Sequence, residues 1–294
     1  MKIVCLVFQF QTSIILKMKT RVLLFTLILA ICCPHLKLCA QVNDNFGTSV
    51  VFLVATPDAP SSECGTGFLV EIDGAHAFLA TAAHVAHSLS EKSSVVIEGK
   101  DGMAHQFTII QLLGQNTQPK WLYHDTADLA ILPLSTAVEF ARLALCFPLE
   151  SLESKESAPL RQITLTICGF PLALGVSGRF SPITRETKAA SDLLSLPRAD
   201  TKTNALFFIT QDPSVGGFSG GPVFDTGLPT TIPGAMMMRN SGLKIVGVVH
   251  GTLSDNTGGK FCAVTPAYQL LELINKTKVT LEISQPTIKP LQSP

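Results

Sequence analysis

Short β-type runs separated by turn residues constrain this chain more than any other feature. Eleven of them follow Gln41, at 49–55, 67–72, 77–81, 94–97, 107–113, 129–134, 163–168, 206–210, 222–224, 244–249 and 260–264. Val, Ile, Phe and Thr fill the runs, and Gly, Pro, Asp and Asn stand between them. The first group suits a pleated, half-buried surface and the second supplies turns. This pattern predicts an all-β architecture, a sandwich or barrels. Only residues 266–276 read clearly as helix, with Tyr268, Leu271, Leu273 and Ile274 roughly on one side.

Charge divides the chain. The 22 basic and 22 acidic side chains cancel, but Lys2, Lys17, Lys19, Arg21 and Lys37 fall in the first 40 residues, which hold no acid. The remainder carries 17 basic against 22 acidic groups, a net of about −5. With no basic stripe, a nucleic-acid partner is not expected. Residues 22–33 form a run of 12 apolar or near-apolar residues behind Lys17, Lys19 and Arg21. A spanning helix needs about 20 apolar residues, a signal-peptide core roughly 7–15. Residues 1–40 are therefore expected to be an export signal, with Leu38-Cys39-Ala40 before the cut and Met18 an alternative start. The protein would be secreted or periplasmic, and would meet the membrane only through this segment if it stays uncleaved.

Beyond the signal, Cys64, Cys146, Cys168 and Cys262 have no metal-type spacing, and Cys168 and Cys262 lie in apolar runs that predict buried free thiols. The charged stretch 149–162 holds little that suits a core. It divides the body into a β half at 41–148 and a second at 163–276, with a loose Pro-containing tail at 277–294. The 75 residues after Ser219 are too few to complete the second half and add a peptide-binding domain.

Three motifs carry chemistry. Val215-Gly216-Gly217-Phe218-Ser219-Gly220-Gly221-Pro222-Val223-Phe224 places a serine on a glycine-rich turn that runs into a strand. A hydroxyl is a weak nucleophile and needs such a turn beside preorganised donors, here the N–H groups of Gly217 and Ser219. Thr81-Ala82-Ala83-His84-Val85 puts an imidazole at the end of an apolar strand, where it could take a proton near neutral pH; His87 is a weaker competitor. In His124-Asp125-Thr126-Ala127-Asp128-Leu129, Asp128 stands where a loop enters an apolar strand. A carboxylate there needs a donor, and an imidazole would serve.

These motifs, in the order His84, Asp128, Ser219 with separations of 44 and 91 residues, resemble the trypsin/chymotrypsin-like serine peptidase superfamily. The resemblance covers most of residues 46–276. It implies two six-stranded antiparallel Greek-key β-barrels with a C-terminal helix. It also implies a Ser219 nucleophile, a His84 base, an orienting Asp128, an oxyanion hole at Gly217 and Ser219, and a polypeptide substrate without metal or other cofactor. Val249 and Gly251 would pair with the substrate backbone, Pro213 and Ser214 would line the side-chain pocket, and His250 is a further binding candidate. Phe218 stands where digestive relatives carry an acid that pairs with a new N-terminus, so the chain looks more like HtrA-type or glutamyl-type relatives. Val85 replaces a common cysteine. Pro213 at the pocket base suggests a small or apolar residue before the scissile bond. A silent peptide-binding module of the same fold and a broad-specificity esterase are the alternatives.

Overall fold

The structure, a computed structural model, describes residues 44–56, 64–72, 76–99, 101–113, 120–134, 145–198, 200–227, 230–232, 235–237 and 242–284. The expected signal at 1–40 lies outside them. No helix among the described residues is long and apolar enough to cross a membrane.

The first sheet is built from β1 (Val50–Val54), β2 (Cys64–Glu71), β3 (Ala77–Thr81), β4 (Ser94–Glu98), β5 (Ala104–Thr108), β6 (Leu122–Tyr123), β7 (Ala130–Leu134) and β8 (Phe147–Pro148). Its order is β5-β4-β1-β2-β3-β7-β6, and β8 pairs in parallel with β2. Helix α1 (Ala83–His87) follows β3, and α2 (Ile109–Leu113) follows β5. The second sheet takes β9 (Thr164–Gly169), β10 (Ile183–Lys188), β11 (Leu194–Pro197), β12 (Asn204–Thr210) and β13 (Pro222–Asp225). A separate hairpin of β14 (Thr230–Ile232) and β15 (Ala235–Met237) precedes its last strands, β16 (Lys244–Ser254) and β17 (Lys260–Pro266). The order is β10-β9-β13-β16-β17-β12-β11, antiparallel throughout. Helix α3 (Ala267–Ser284) closes the described chain.

The all-β class and the C-terminal helix are as expected, with three differences. The sheets hold eight and seven strands rather than six each, because two-residue pairings at β6 and β8 and the edge strand β11 add to them. The run at 107–113 splits: its first two residues finish β5, and Ile109–Leu113 is helical, burying Ile109, Leu112 and Leu113. An unbroken apolar run fits a buried helix as well as a strand. Helix α3 continues to Ser284, so the expected loose tail starts as helix.

Apolar alternation places the core. Val51, Leu53, Leu69, Leu79, Val95 and Leu132 point inside the first sheet, and Leu165, Ile167, Phe208, Val223 and Val264 inside the second. The opposite faces meet in a third cluster. There Phe52, Phe68 and Phe147 of the first sheet lie with Phe170, Phe180 and Phe224 of the second half, and with Leu270 and Ile274 of α3. Ring pairs such as Phe52–Phe170 at 5.6 Å and Phe147–Phe224 at 5.4 Å cross the boundary. The stretch expected to avoid the core contributes to this cluster through Leu152, 3% exposed.

Candidate active site

His84 lies on the first turn of α1, directly after β3, and Asp128 ends the loop that leads into β7. Ala82, Ala83 and Ala130 are small and buried, which lets these two segments approach. The loop is shaped by His124, whose Nδ1 accepts the N–H groups of Thr126 at 3.2 Å and Ala127 at 2.9 Å. The His84 N–H then donates to Asp128 Oδ1 at 3.0 Å, and His84 Nδ1 donates to Oδ2 at 2.7 Å. The backbone bond fixes the helix against the carboxylate, and the ring bond fixes the tautomer. With Nδ1 protonated, Nε2 is the basic nitrogen.

Ser219 lies on the turn before β13. Gly217 has φ +102° and Gly220 φ +82°. A Cβ on Gly220 would come within 2.2 Å of the Thr66 carbonyl oxygen and 2.1 Å of Thr81 Oγ1, so the first sheet presses directly on the turn. Thr66 of β2, fully buried, holds the turn at two atoms and Phe170 at a third. Its N–H donates to Ser219 O at 2.8 Å, its Oγ1 donates to Gly217 O at 2.6 Å, and the same Oγ1 accepts the Phe170 N–H at 3.1 Å. The Leu172 N–H anchors Gly216 O at 2.8 Å. A planar trans peptide points its C=O and N–H in opposite directions, so this anchor turns the Gly217 N–H away from Leu172. Among the described residues, neither the Gly217 nor the Ser219 N–H donates to a protein acceptor. Two free donors on one turn are what an oxyanion needs. The Ser219 hydroxyl itself donates to His250 O at 3.2 Å.

His250 is where the structure departs most from expectation. The ladder between β16 and β17 slips between Val249 and Gly251, a bulge at His250, and bulges re-aim side chains. The imidazole turns inward, 3% exposed, and its Nδ1 donates to Asp128 Oδ2 at 2.5 Å. The ring expected as a further binding candidate thus gives its donor to the carboxylate instead. One carboxylate oxygen receives two imidazoles, whose rings lie 5.4 Å apart at 83°. The other oxygen faces Arg198 Nη2 at 3.4 Å. Burial alone would push the Asp128 carboxyl up, but the His250 and His84 hydrogen bonds and charges outweigh it and hold it well below the usual range.

His84, Asp128 and His250 are metal-ligating types with ligand atoms within 4.8 Å of each other. A zinc ion at about 2.0–2.2 Å from each ligand in tetrahedral geometry needs nitrogen–oxygen separations of about 3.3 Å. The observed 2.7 and 2.5 Å are hydrogen bonds, and the Arg198 cation beside Oδ1 disfavours a second one. The set is hydrogen-bonded, not a metal centre.

The other expected contacts divide. Val249 is corrected: its side chain is fully buried, its N–H donates to Gly221 O at 2.9 Å, and its carbonyl accepts the Gly220 N–H at 2.8 Å. Gly251 does face the site, since a Cβ there would lie 3.8 Å from Ser219 Oγ. The Ser214 carbonyl accepts Thr252 Oγ1 at 3.0 Å, and the Pro213 carbonyl accepts Arg185 Nη1 at 2.8 Å. A half-buried cation from β10 thus sits beside this segment and also faces Asp212 Oδ1 at 3.8 Å. Arg185 lies too far from these residues in sequence to be linked to them by pattern, as do Thr66 and Arg198.

The trypsin-like peptidase domain profile matches residues 65–227, more than half of the chain. The chain belongs to the trypsin-like peptidase family. No curated protein sequence matches it. Among solved structures it is similar to an HtrA-type protease, an AlgW variant with a tripeptide, at TM-score 0.50 and 15% identity. That likeness covers 78% of this chain, which spans about 60% of the other. The Rv3671c protease from M. tuberculosis, in its active form, matches at TM-score 0.46 and 16% identity over 78% of this chain and 81% of that one. At such identities the AlgW likeness speaks to the fold alone.

Proposed function

We propose that this peptidase is an exported serine endopeptidase that cleaves polypeptides through an acyl-enzyme, without a cofactor. The observation that carries this reading is one residue joining the three groups: the His250 ring bonds Asp128, which bonds His84, while the His250 carbonyl bonds the Ser219 hydroxyl. In apo enzymes the serine–histidine bond is often long or misaligned and tightens with substrate. Rotation about χ1 frees Ser219 Oγ from the carbonyl for attack. His84 Nε2 takes the proton as the new C–O bond forms, and Asp128 stabilises the imidazolium through Nδ1–H. The oxyanion is received by the N–H groups of Gly217 and Ser219. Collapse breaks the C–N bond and returns the proton from His84 to the leaving amine; water then repeats the sequence on the ester. The basic-then-apolar order of residues 17–33 supports export. The tripeptide with the AlgW variant supports a peptide as the occupant of the cleft.

A fluorophosphonate probe tests the reading. Wild type should be labelled on Ser219, and Ser219→Ala should not. A folded wild type that resists the probe at every pH would point instead to a silent binding module. Casein digestion separates the peptidase from an esterase, which would hydrolyse only activated esters.

A further inference from the structure

Arg198 is 6% exposed and comes from the loop after β11, 70 residues beyond Asp128. Its loop is closed by two backbone bonds, Arg198 N–H to Thr203 O at 2.9 Å and Lys202 N–H to Arg198 O at 3.2 Å, which aim the side chain back at the catalytic loop. Its Nη1 donates to the carbonyls of Ala127 at 2.8 Å and Thr126 at 3.3 Å. These are the two residues before Asp128, so the guanidinium clamps the backbone that carries the carboxylate.

Its charge raises a question that packing does not answer. A cation 3.4 Å from Asp128 Oδ1 cancels much of the negative charge that should stabilise a His84 imidazolium. Asp200 supplies the answer. It takes Arg198 Nε at 3.0 Å and Nη2 at 2.6 Å, a two-pronged pair tighter than the contact with Asp128. Asp128, Arg198 and Asp200 together sum to −1, the charge that one imidazolium requires. Arg198 alone would leave the set neutral.

We propose that Arg198 and Asp200 are positioning residues for the reaction: Arg198 fixes the Asp128 loop, and Asp200 offsets its charge so that His84 stays basic enough to act. The proposal rests on His84 being the base. Asp200 also feels Asp128 across the guanidinium. Burial and the Asp128 charge push its carboxyl up, and the Arg198 hydrogen bonds and charge bring it lower overall.

Other charged groups near His84 are held elsewhere. His87 on the same helix stacks on the Tyr123 ring at 4.4 Å. His124 turns Nε2 to Glu272 at 3.4 Å, and Asp125 pairs with Lys276 at 2.8 Å, both on α3. His250 keeps its bond to Asp128. Lys202 lies on the Arg198 loop itself. None of them is substituted in the variants below.

The test is the rate of fluorophosphonate labelling of Ser219 across about pH 4–9, with wild type first. Asp200→Asn leaves Arg198 on Asp128 alone and should move the acid limb down by about half a pH unit or more, the size expected for one charge nearby at an effective dielectric of about 20. Arg198→Met leaves two carboxylates and should move the limb up. Arg198→Lys keeps the charge but loses the fork, so it should slow labelling while leaving the limb within about 0.3 unit of wild type. Opposite shifts in the first two variants support the charge role, because a purely structural part would lower rates in both without moving either limb. Unmoved limbs, or shifts of the same sign, overturn it. If Arg198→Met does not fold, Asp200→Asn against Arg198→Lys still decides. A wild type with no labelling sinks the function reading itself, a distinct outcome.

Discussion

Asp128 carries the electrostatics of the site, and its environment fixes how it responds to pH. Its folded pKa is depressed, so its contribution to stability is complete above the unfolded carboxylate value near 3.9 and is lost as pH falls through the lower folded value. Asp128→Asn should therefore flatten the acid limb of the unfolding curve, as followed by circular dichroism between about pH 2 and 5. It should also cut labelling of Ser219 by about 10⁴-fold at neutral pH, because the amide favours the wrong imidazole tautomer. Equal labelling in that variant would move the carboxylate role elsewhere, Asp125 first. Three of the residues in this set are legible in the sequence, each for a local reason: a histidine closing an apolar strand, a carboxylate entering one, a serine among glycines. Arg198 and the inward role of His250 are not. They depend on contacts across 70 and 122 residues of chain, and no local pattern announces which distant partner a polar residue will find.

The secondary-structure elements show where pattern succeeds and where it fails. Strands buried on one or both faces, such as β3 and β13, match their apolar runs. The strand β10, with the sequence ITRETK and only Thr187 buried, escapes the pattern. An edge strand is written in polar and charged residues because one side faces solvent, so its alternation carries little apolar signal. The bulge in β16 is equally invisible in the sequence, yet it redirects His250. A third case is β2, which begins at Cys64 and so takes in Thr66, one residue before the expected run at 67–72; Thr66 clamps the Ser219 turn. Replacing it with valine keeps the shape and removes the hydroxyl. That leaves Gly217 O without its 2.6 Å donor in a buried site, at about 1–3 kcal/mol. Thr66→Val should therefore melt lower and lose kcat with KM little changed, as loosening of the proposed oxyanion donors would act in the transition state. A rise in KM at constant kcat would show that Thr66 shapes substrate binding instead.

At the scale of the whole molecule, the four described cysteines are free thiols, so no covalent link joins the two sheets among the described residues. Burial pushes the Cys168 thiol up to about 12, and Cys262 to about 11. With so little thiolate they are poor nucleophiles and resist oxidation, which suits the proposed exported setting. The sheets are instead joined by the shared aromatic cluster and by the main-chain and hydroxyl bonds of Thr66, and each half holds part of the site. The charge of 149–162 marks the division of the body near its midpoint, but composition could not show that Leu152 returns to the core, bridged to Ile245 in the cluster that holds Phe224. Phe224 is fully buried and packs on Phe147 across the boundary at 5.4 Å, so its loss should be felt by both sheets. Phe224→Ala is expected to cost about 3–5 kcal/mol. Denaturant unfolding should remain a single transition, with far-ultraviolet circular dichroism coinciding with the fluorescence of Trp121, which packs inside the first sheet. If the two halves were independent, that fluorescence would keep its wild-type midpoint while part of the circular dichroism moved to lower denaturant. That separation would mean the groups of the proposed site are assembled from two stable domains rather than by one cooperative core.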